Sequence, residues 1–220
     1  MTIVEKGRRG RPPAFERGAV LDLAMEVFWA SGFEGASIPM LVSAMGISAQ
    51  SLYAAFGSKD ALYREAVARY RETIGRFADV ALDKQANVLD AISALLRESA
   101  ILFSSKDGRP GCMITTAPAG VNEDALTLFG RELRADGVRK LVGRLQRGVD
   151  EGQLCKDTDC TAWAHYLSSV LQGMSVQARD GASTEALLSI AAVAAQSLEI
   201  IRARHRDRRS SGRLVPGLNT

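Results

Sequence analysis

Residues 5–13 carry Lys6, Arg8, Arg9 and Arg11 beside one acid, Glu5, and among two glycines and two prolines. The segment lacks apolar periodicity and is expected to be a disordered arm. Within it, Arg9-Gly10-Arg11-Pro12 resembles the core of an AT-hook. In that unit, extended Arg-Gly-Arg lies in a narrow A·T minor groove, where the negative potential is deepest. The alternative is a basic tail that grips any phosphate. Catalytic chemistry finds far less support. The chain has only two histidines, His165 and His205, and lacks GxSxG, HExxH, P-loop and dinucleotide fingerprints. The glycine-containing stretch 105–111 has no preceding strand, so it is no phosphate loop. No enzyme activity, catalytic residue or cofactor is expected. Cys155 and Cys160 sit five apart in an expected loop without a clustered histidine, a poor metal site. Free thiols are expected, not a disulfide. Cys112 follows Arg109-Pro110-Gly111 at an expected helix start, where a thiolate would be stabilised; the alternative is a buried, inert thiol.

Immediately behind the arm come the elements that would bring those cations to nucleic acid. A first helix is expected over 17–31, with Val20, Leu23, Ala24, Val27 and Phe28 on one face and Gly32 as its stop. Ser37 reads as the N-cap of a second, with Pro39 tolerable in its first turn. Leu41, Val42 and Met45 form its apolar face. Gly46 supplies the tight turn, and Ser48 caps a third helix carrying Leu52 and Phe56. Two short helices joined by a glycine turn are a helix-turn-helix, whose second helix is shaped for the DNA major groove. Placed directly before it, the arm gains the minor-groove reading, because homeodomain arms use that geometry.

The rest of the chain also reads as helix. Ser58 caps a fourth, over 59–82, and further helices are expected over 86–104, 122–151, 161–179 and 183–204. Glycines 130, 137, 143 and 148 are expected kink sites in the helix over 122–151. A short apolar piece, 112–118, follows the turn-rich break at 105–111. No segment sustains period-2 alternation, and no internal repeat is found, so the fold class is all-α: an N-terminal three-helix DNA-binding domain plus a C-terminal helical domain. The expected divisions are a basic arm over 1–14, the helix-turn-helix domain over 15–60, an effector-binding and dimerisation domain over 61–205, and a disordered tail over 206–220.

Charge distribution supports contact with DNA at one end. The overall net charge of +3 contains +3 through residue 12 and +5 over 202–213, leaving 13–201 at −5. A basic arm on an acidic body fits a protein that meets DNA with its arm. The C-terminal arginines read as a solvated helix end and tail. No apolar run is expected to reach the ~18 residues of a membrane span, and no signal-peptide core follows the N-terminus. A cytoplasmic protein without membrane contact is expected.

The stretch from Ala14 through Val67 resembles the DNA-binding region of TetR-family transcriptional regulators. The resemblance rests on Gly32-Phe33, the Gly46-Ile47-Ser48 turn, Leu52-Tyr53, Phe56 and Ser58-Lys59. Beyond residue 75 it is one of architecture alone. Val42 departs from the pattern, occupying a position where a smaller residue is commoner. The resemblance implies a repressor released from a palindromic operator by a small-molecule effector. It places Ala49, Gln50 and Ser51 at base edges, with Gln50 able to pair bidentately with adenine. Tyr53 is implied to contact a phosphate, the alternative being a core aromatic with an exposed tip. Ser37, Ser48 and Lys59 would grip backbone near helix N-termini.

The last two helices carry apolar and small residues on more than one face, too many for a helix packing only on its own chain. A homodimer through a four-helix bundle is expected, using Leu167, Val170, Leu171, Leu187, Ile190, Ala191, Ala194, Leu198 and Ile201; the alternative is simple burial of these residues within one domain. An effector pocket is implied between the C-terminal helices, with Phe103, Cys112, Met113, Phe129, Leu133, Trp163, Tyr166 and Met174 as candidate lining residues; the alternative for each is an ordinary core residue. Some relatives with a similar Gly-Cys element respond to oxidants or electrophiles. The competing reading is a helical ligand-binding or adaptor protein without specific DNA binding; steep loss of DNA affinity with salt would argue against it.

Overall fold

The computed structural model describes residues 16–105, 109–121 and 123–201. The arm, with Arg8, Arg9 and Arg11, and the tail from residue 202 lie outside the described residues. Among the described residues there are nine α-helices and no strand. These are α1 (Arg17–Gly35), α2 (Ile38–Met45), α3 (Ala49–Phe56), α4 (Lys59–Glu72), α5 (Arg76–Lys84), α6 (Val88–Phe103), α7 (Ala125–Asp150), α8 (Cys160–Arg179) and α9 (Thr184–Ser197).

Most starts are written in the sequence as caps. Ser37, Ser48, Ser58, Asn87, Asp124, Asp159 and Ser183 each accept a backbone N–H of the first turn. Such a cap contributes about 1 kcal/mol. Stops are equally local at two glycines. Gly32 takes φ 70°, ψ 178°, a region open essentially to glycine, and interrupts α1 where the sequence places its end. Gly46 closes α2 in the left-handed conformation at φ 65°.

Two hydrophobic clusters organise the helices. One joins Val20, Ala24, Phe28, Leu41, Leu52, Phe56 and Leu62 with Tyr63 and Tyr70 of α4, and with Met113 and Leu133 from farther along the chain. The other gathers the inward faces of α5, α6, α7, α8 and α9 around Ile92, Leu96, Leu145 and Leu167. α4 therefore belongs to the packing of the N-terminal helices, and its far end reaches the C-terminal part.

Several expectations are corrected. The helix expected over 59–82 is two. At Thr73 the backbone leaves helical conformation (φ −106°, ψ −92°), and the Gly75 N–H donates to Tyr70 O at 2.7 Å across a widened turn. Residues 112–118 form turns, so Cys112 does not start a helix. α7 is one continuous helix, and two of its glycines serve close packing. A Cβ at Gly130 would stand 2.1 Å from Pro118 O, and one at Gly148 would stand 2.7 Å from Val88. Cys160 is the first residue of α8, not a loop residue. One stretch, Thr184–Ile201, is long and apolar enough to cross a membrane by length and composition, contrary to expectation. It packs one face on α6 and α8.

Six of the expected dimer residues, Leu167, Leu187, Ala191, Ala194, Leu198 and Ile201, are buried in the chain's own core. Val170, Leu171 and Ile190 are half-buried. Of the expected set, only Val170 and Ile190 fall on the outward stripe, at its half-buried edge, beside Ala162, Tyr166 and Gly173 of α8 and Ala186, Val193, Ser197 and Ile200. Helices apolar on more than one side do not reveal from sequence which side turns inward.

Candidate nucleic-acid interface and ligand cavity

α2 and α3 meet at 91°. Leu41, Met45, Leu52 and Phe56 anchor their inner faces in the N-terminal core with at most 5% exposure. That anchoring turns the other side of α3 outward. Ala49, Gln50, Tyr53 and Ala54 are all exposed. Tyr53 is 47% exposed, which removes the alternative that it is a core aromatic. The resulting surface presents one amide and one phenol on adjacent turns, beside small alanines that let a helix approach base edges closely.

The serines play two parts. Ser37 Oγ accepts the Met40 N–H at 3.3 Å, and Ser48 Oγ accepts that of Ser51 at 3.1 Å. Ser51 is half-buried and its hydroxyl pairs with Ser48 Oγ at 2.9 Å. Ser51 is thus tied to the cap, which leaves Gln50 as the exposed amide of the first turn. Lys59 is positioned by an aromatic ring, its Nζ 4.3 Å from the Phe33 centroid. Arg17 was missed by sequence reasoning. Its guanidinium lies 4.6 Å over the Phe56 ring and donates to Glu65 at 2.9 Å, fixing a cation at the start of α1. Its place as the first cation after the arm was the available signal.

A cavity of about 180 Å³ lies between the two clusters. Tyr70 of α4, Leu82 of α5, Ser99 and Phe103 of α6, Leu133 and Leu141 of α7 and Leu171 of α8 contribute to its wall. Burial pushes the Tyr70 phenol far above its ordinary range, so it stays neutral. Two ion pairs stand at the exposed rim, Arg71 with Asp136 and Lys140 with Asp79. Of the expected pocket residues, Phe103, Cys112 and Leu133 line this cavity. Met113 and Phe129 pack with the N-terminal core, and Met174 is buried in the C-terminal one. Trp163 and Tyr166 border a separate shallow depression on α8 with Ala162 and Ser197. The apolar composition that suggested these five serves packing in Met113, Phe129, Met174 and the half-buried Trp163, and the outward stripe in Tyr166.

Sequence reasoning also missed the joint between the cavity and α1. Gly111 N–H donates to Phe103 O at 2.9 Å, and Trp29 Nε1 donates to Gly111 O at 3.1 Å. Next to it, Cys112 N–H donates to Ser175 Oγ at 2.8 Å, while Tyr70 OH donates to Cys112 Sγ at 3.6 Å. Arg179 of α8 donates to Trp29 O and Ala30 O at 2.9 and 3.0 Å. These carbonyls belong to the last turn before the break in α1 at Gly32. One short turn therefore touches the cavity wall on one side and α1 on the other. Among the described residues, no group of three His, Cys, Asp or Glu side chains could hold a metal ion.

Comparison with known proteins accords with this geometry. Residues 20–66 match the family profile described as "Bacterial regulatory proteins, tetR family". The chain is 36% identical over 191 residues to the HTH-type transcriptional repressor ComR of Escherichia coli K12, spanning 84% of this chain and 90% of that one. It is 28% identical over 193 residues to the repressor BdcR of the same organism, spanning 87% and 93%. Among solved structures, a cysteine-substituted form of the TetR family regulator CifR, complexed with 26 bp double-strand operator DNA, superposes with a TM-score of 0.80 at 39% identity. That match covers 84% of this chain and 98% of that one. A helix-turn-helix with an exposed reading face, an all-α body behind it and relatives matched over nearly their whole length lead to one conclusion: the chain belongs to the TetR family of DNA-binding transcriptional regulators.

Proposed function

We propose that the protein represses transcription from a palindromic operator, as a homodimer, and releases it when a small molecule fills the interhelical cavity. The observation that carries the DNA-reading half is the exposed Gln50–Tyr53 face of α3, held outward by the buried Leu52 and Phe56. Gln50 pairs with a base, Tyr53 meets a phosphate, Ala49 allows close approach, and Ser37, Ser48, Ser51 and Lys59 serve the backbone contacts and caps. Arg8, Arg9 and Arg11 enter an adjacent minor groove. Residues 15–60 act as the reading head and 61–205 as the effector-binding and dimerisation part, with α4 serving both. The protein works in the cytoplasm, and the apolar stretch Thr184–Ile201 contributes to the dimer, not to a membrane.

Dimerisation is supported by the outward stripe through Tyr166, Val170, Ile190, Val193 and Ile200, a patch that a lone subunit leaves in water. Two reading helices then lie one helical turn apart, about 34–36 Å, or a multiple of it. Selecting bound duplexes from a random DNA pool at near-physiological salt tests the reading. An enriched palindrome with A·T-rich flanks is expected. Binding that shows no motif and vanishes at moderate salt would leave the helical adaptor reading in its place.

A further inference from the structure

Serines inside helices ordinarily turn their hydroxyls back onto the carbonyl one turn earlier. Ser93, Ser169 and Ser189 do so here, donating to Leu89 O, His165 O and Glu185 O at 2.8–3.0 Å. Ser99 does not. It sits in the middle of α6, 1% exposed, on the cavity wall, and its Oγ has no hydrogen-bond partner. A buried hydroxyl without a partner costs about 1–3 kcal/mol, so its presence at this wall calls for a group to satisfy it.

The remaining wall limits what that group belongs to. Leu82, Leu95, Phe103, Leu133 and Leu141 make the interior mainly apolar. The charges bordering it are already engaged: Arg71 with Asp136, Lys140 with Asp79, and Arg134 with the carbonyl oxygens of Ala117 and Pro118. A charged ligand would lose its hydration in this mainly apolar interior, and Arg134 could serve an anion only by giving up the Ala117 and Pro118 oxygens that its guanidinium now holds. A cavity of about 150 Å³ lined by aliphatic and aromatic side chains accepts benzene. The 180 Å³ here holds a molecule slightly larger.

Resting on the effector-release reading above, we infer that the effector is a neutral, mainly apolar molecule of about seven to nine non-hydrogen atoms, with one oxygen function that hydrogen-bonds to Ser99. Ser99 distinguishes it from a hydrocarbon, and the engaged charges distinguish it from an acid or an amine of the same size.

Four probes of matched shape test this by calorimetry on the full-length protein without DNA: benzyl alcohol, toluene, benzoate and benzylamine. Benzyl alcohol is expected to bind about fivefold tighter than toluene, and at least about tenfold tighter than either charged probe. Ser99→Ala is expected to erase the preference for the alcohol while leaving toluene unchanged or improved. This variant removes an unsatisfied group, so it folds at least as well as the parent. Gly137→Leu adds a side chain at the cavity rim, where a Cβ meets no atom within 4 Å. It is expected to weaken both neutral probes at least about tenfold, locating them in this cavity. The inference is overturned if benzoate or benzylamine binds more tightly than benzyl alcohol, if Ser99→Ala keeps the alcohol preference, or if Gly137→Leu leaves both neutral probes unaffected. Fluorescence anisotropy with a labelled selected operator reads release separately. Ser99-dependent binding with operator affinity unchanged would support this ligand class and refute effector-driven release.

Discussion

Arg179 Nη1 donates to the backbone oxygen of Trp29 at 2.9 Å, joining the end of α8 to the last regular turn of α1 across 150 positions of sequence. Its Nη2 serves the neighbouring Ala30 oxygen, so one guanidinium caps a helix on another part of the chain. Arg179→Ala is expected to lower stability by about 1–2 kcal/mol, since hydrogen bonds to charged donors exceed neutral ones. Arg179→Lys should recover less than half of that, because an ammonium lacks the fork that reaches two carbonyls together. Urea midpoints at one fixed protein concentration check both.

Gly130 and Gly143 lie on the same helix and predict opposite outcomes. Gly130→Ala places its methyl against Pro118 O, and the 2.1 Å approach forces the 112–118 turns away from α7. A loss of about 2–3 kcal/mol is expected, as for overpacking in a close-packed interior. Gly143→Ala meets no atom within 4 Å and should gain about 0.5–1 kcal/mol from helix propensity alone. Thermal denaturation of both variants beside the parent distinguishes packing glycines from idle ones.

That pair also marks where sequence reasoning stops. The helix-turn-helix was legible because its determinants are local: Ser37, Gly46, Ser48 and Ser58 act on backbone groups within four residues of themselves. The interruption of α1 at Gly32 was legible for the same reason, while α6 was placed to within two residues without its cap, Asn87, being recognised. The break after α4 was not. Thr73 is no helix breaker, and the widened turn it opens depends on how Tyr70 is held in the core. The joint at Gly111 escaped because Trp29 and Arg179, 150 positions apart, advertise nothing beyond an ordinary core aromatic and an ordinary cation. For the last two helices, composition showed surplus apolar surface, while only packing on α6 decided that Leu187 and Ala191 face in and Val193 faces out.

On the DNA face, Gln50→Ala and Tyr53→Phe should differ in kind. Loss of the amide is expected to cost about 1–3 kcal/mol and to relax preference at one base pair in each half-site. Loss of the phenol hydroxyl should weaken all duplexes about equally, leaving the ranking of sites intact. Binding titrations against the selected operator and single-base variants at two salt concentrations test this. Equal losses for matched and mismatched sites in Gln50→Ala would remove that residue from base reading.

Tyr63 offers a test in pH. Its hydroxyl is buried without a partner, and burial pushes the phenol from an ordinary 10.0 up to about 12. Below pH 10 the phenol is neutral in folded and unfolded chains alike. Between about 10 and 12 only the unfolded chain ionises, so stability falls through that window by up to about 2–3 kcal/mol. Tyr63→Phe should be neutral or slightly stabilising at pH 7 and should decline less above pH 10, keeping the part that the still more strongly raised Tyr70 contributes. Denaturation of both proteins from pH 8 to 11.5 gives the difference; parallel curves would refute it.

The pairs Arg71–Asp136 and Lys140–Asp79, which bridge α4 and α5 to α7 at the cavity rim, bear on time more than on affinity. Both are solvent-exposed, and added salt weakens attractions of that kind. A neutral ligand exchanges nothing with the ions, so its equilibrium occupancy should barely change. The rim it must pass loosens, and entry and exit quicken together. Under the proposed DNA contacts, the same salt would drive the arm and reading helix off phosphate. Ionic strength thus acts on a thermodynamic quantity at the DNA end and on a kinetic one at the rim, so a cell under osmotic stress would shift how tightly this regulator holds its site and, separately, how fast it answers.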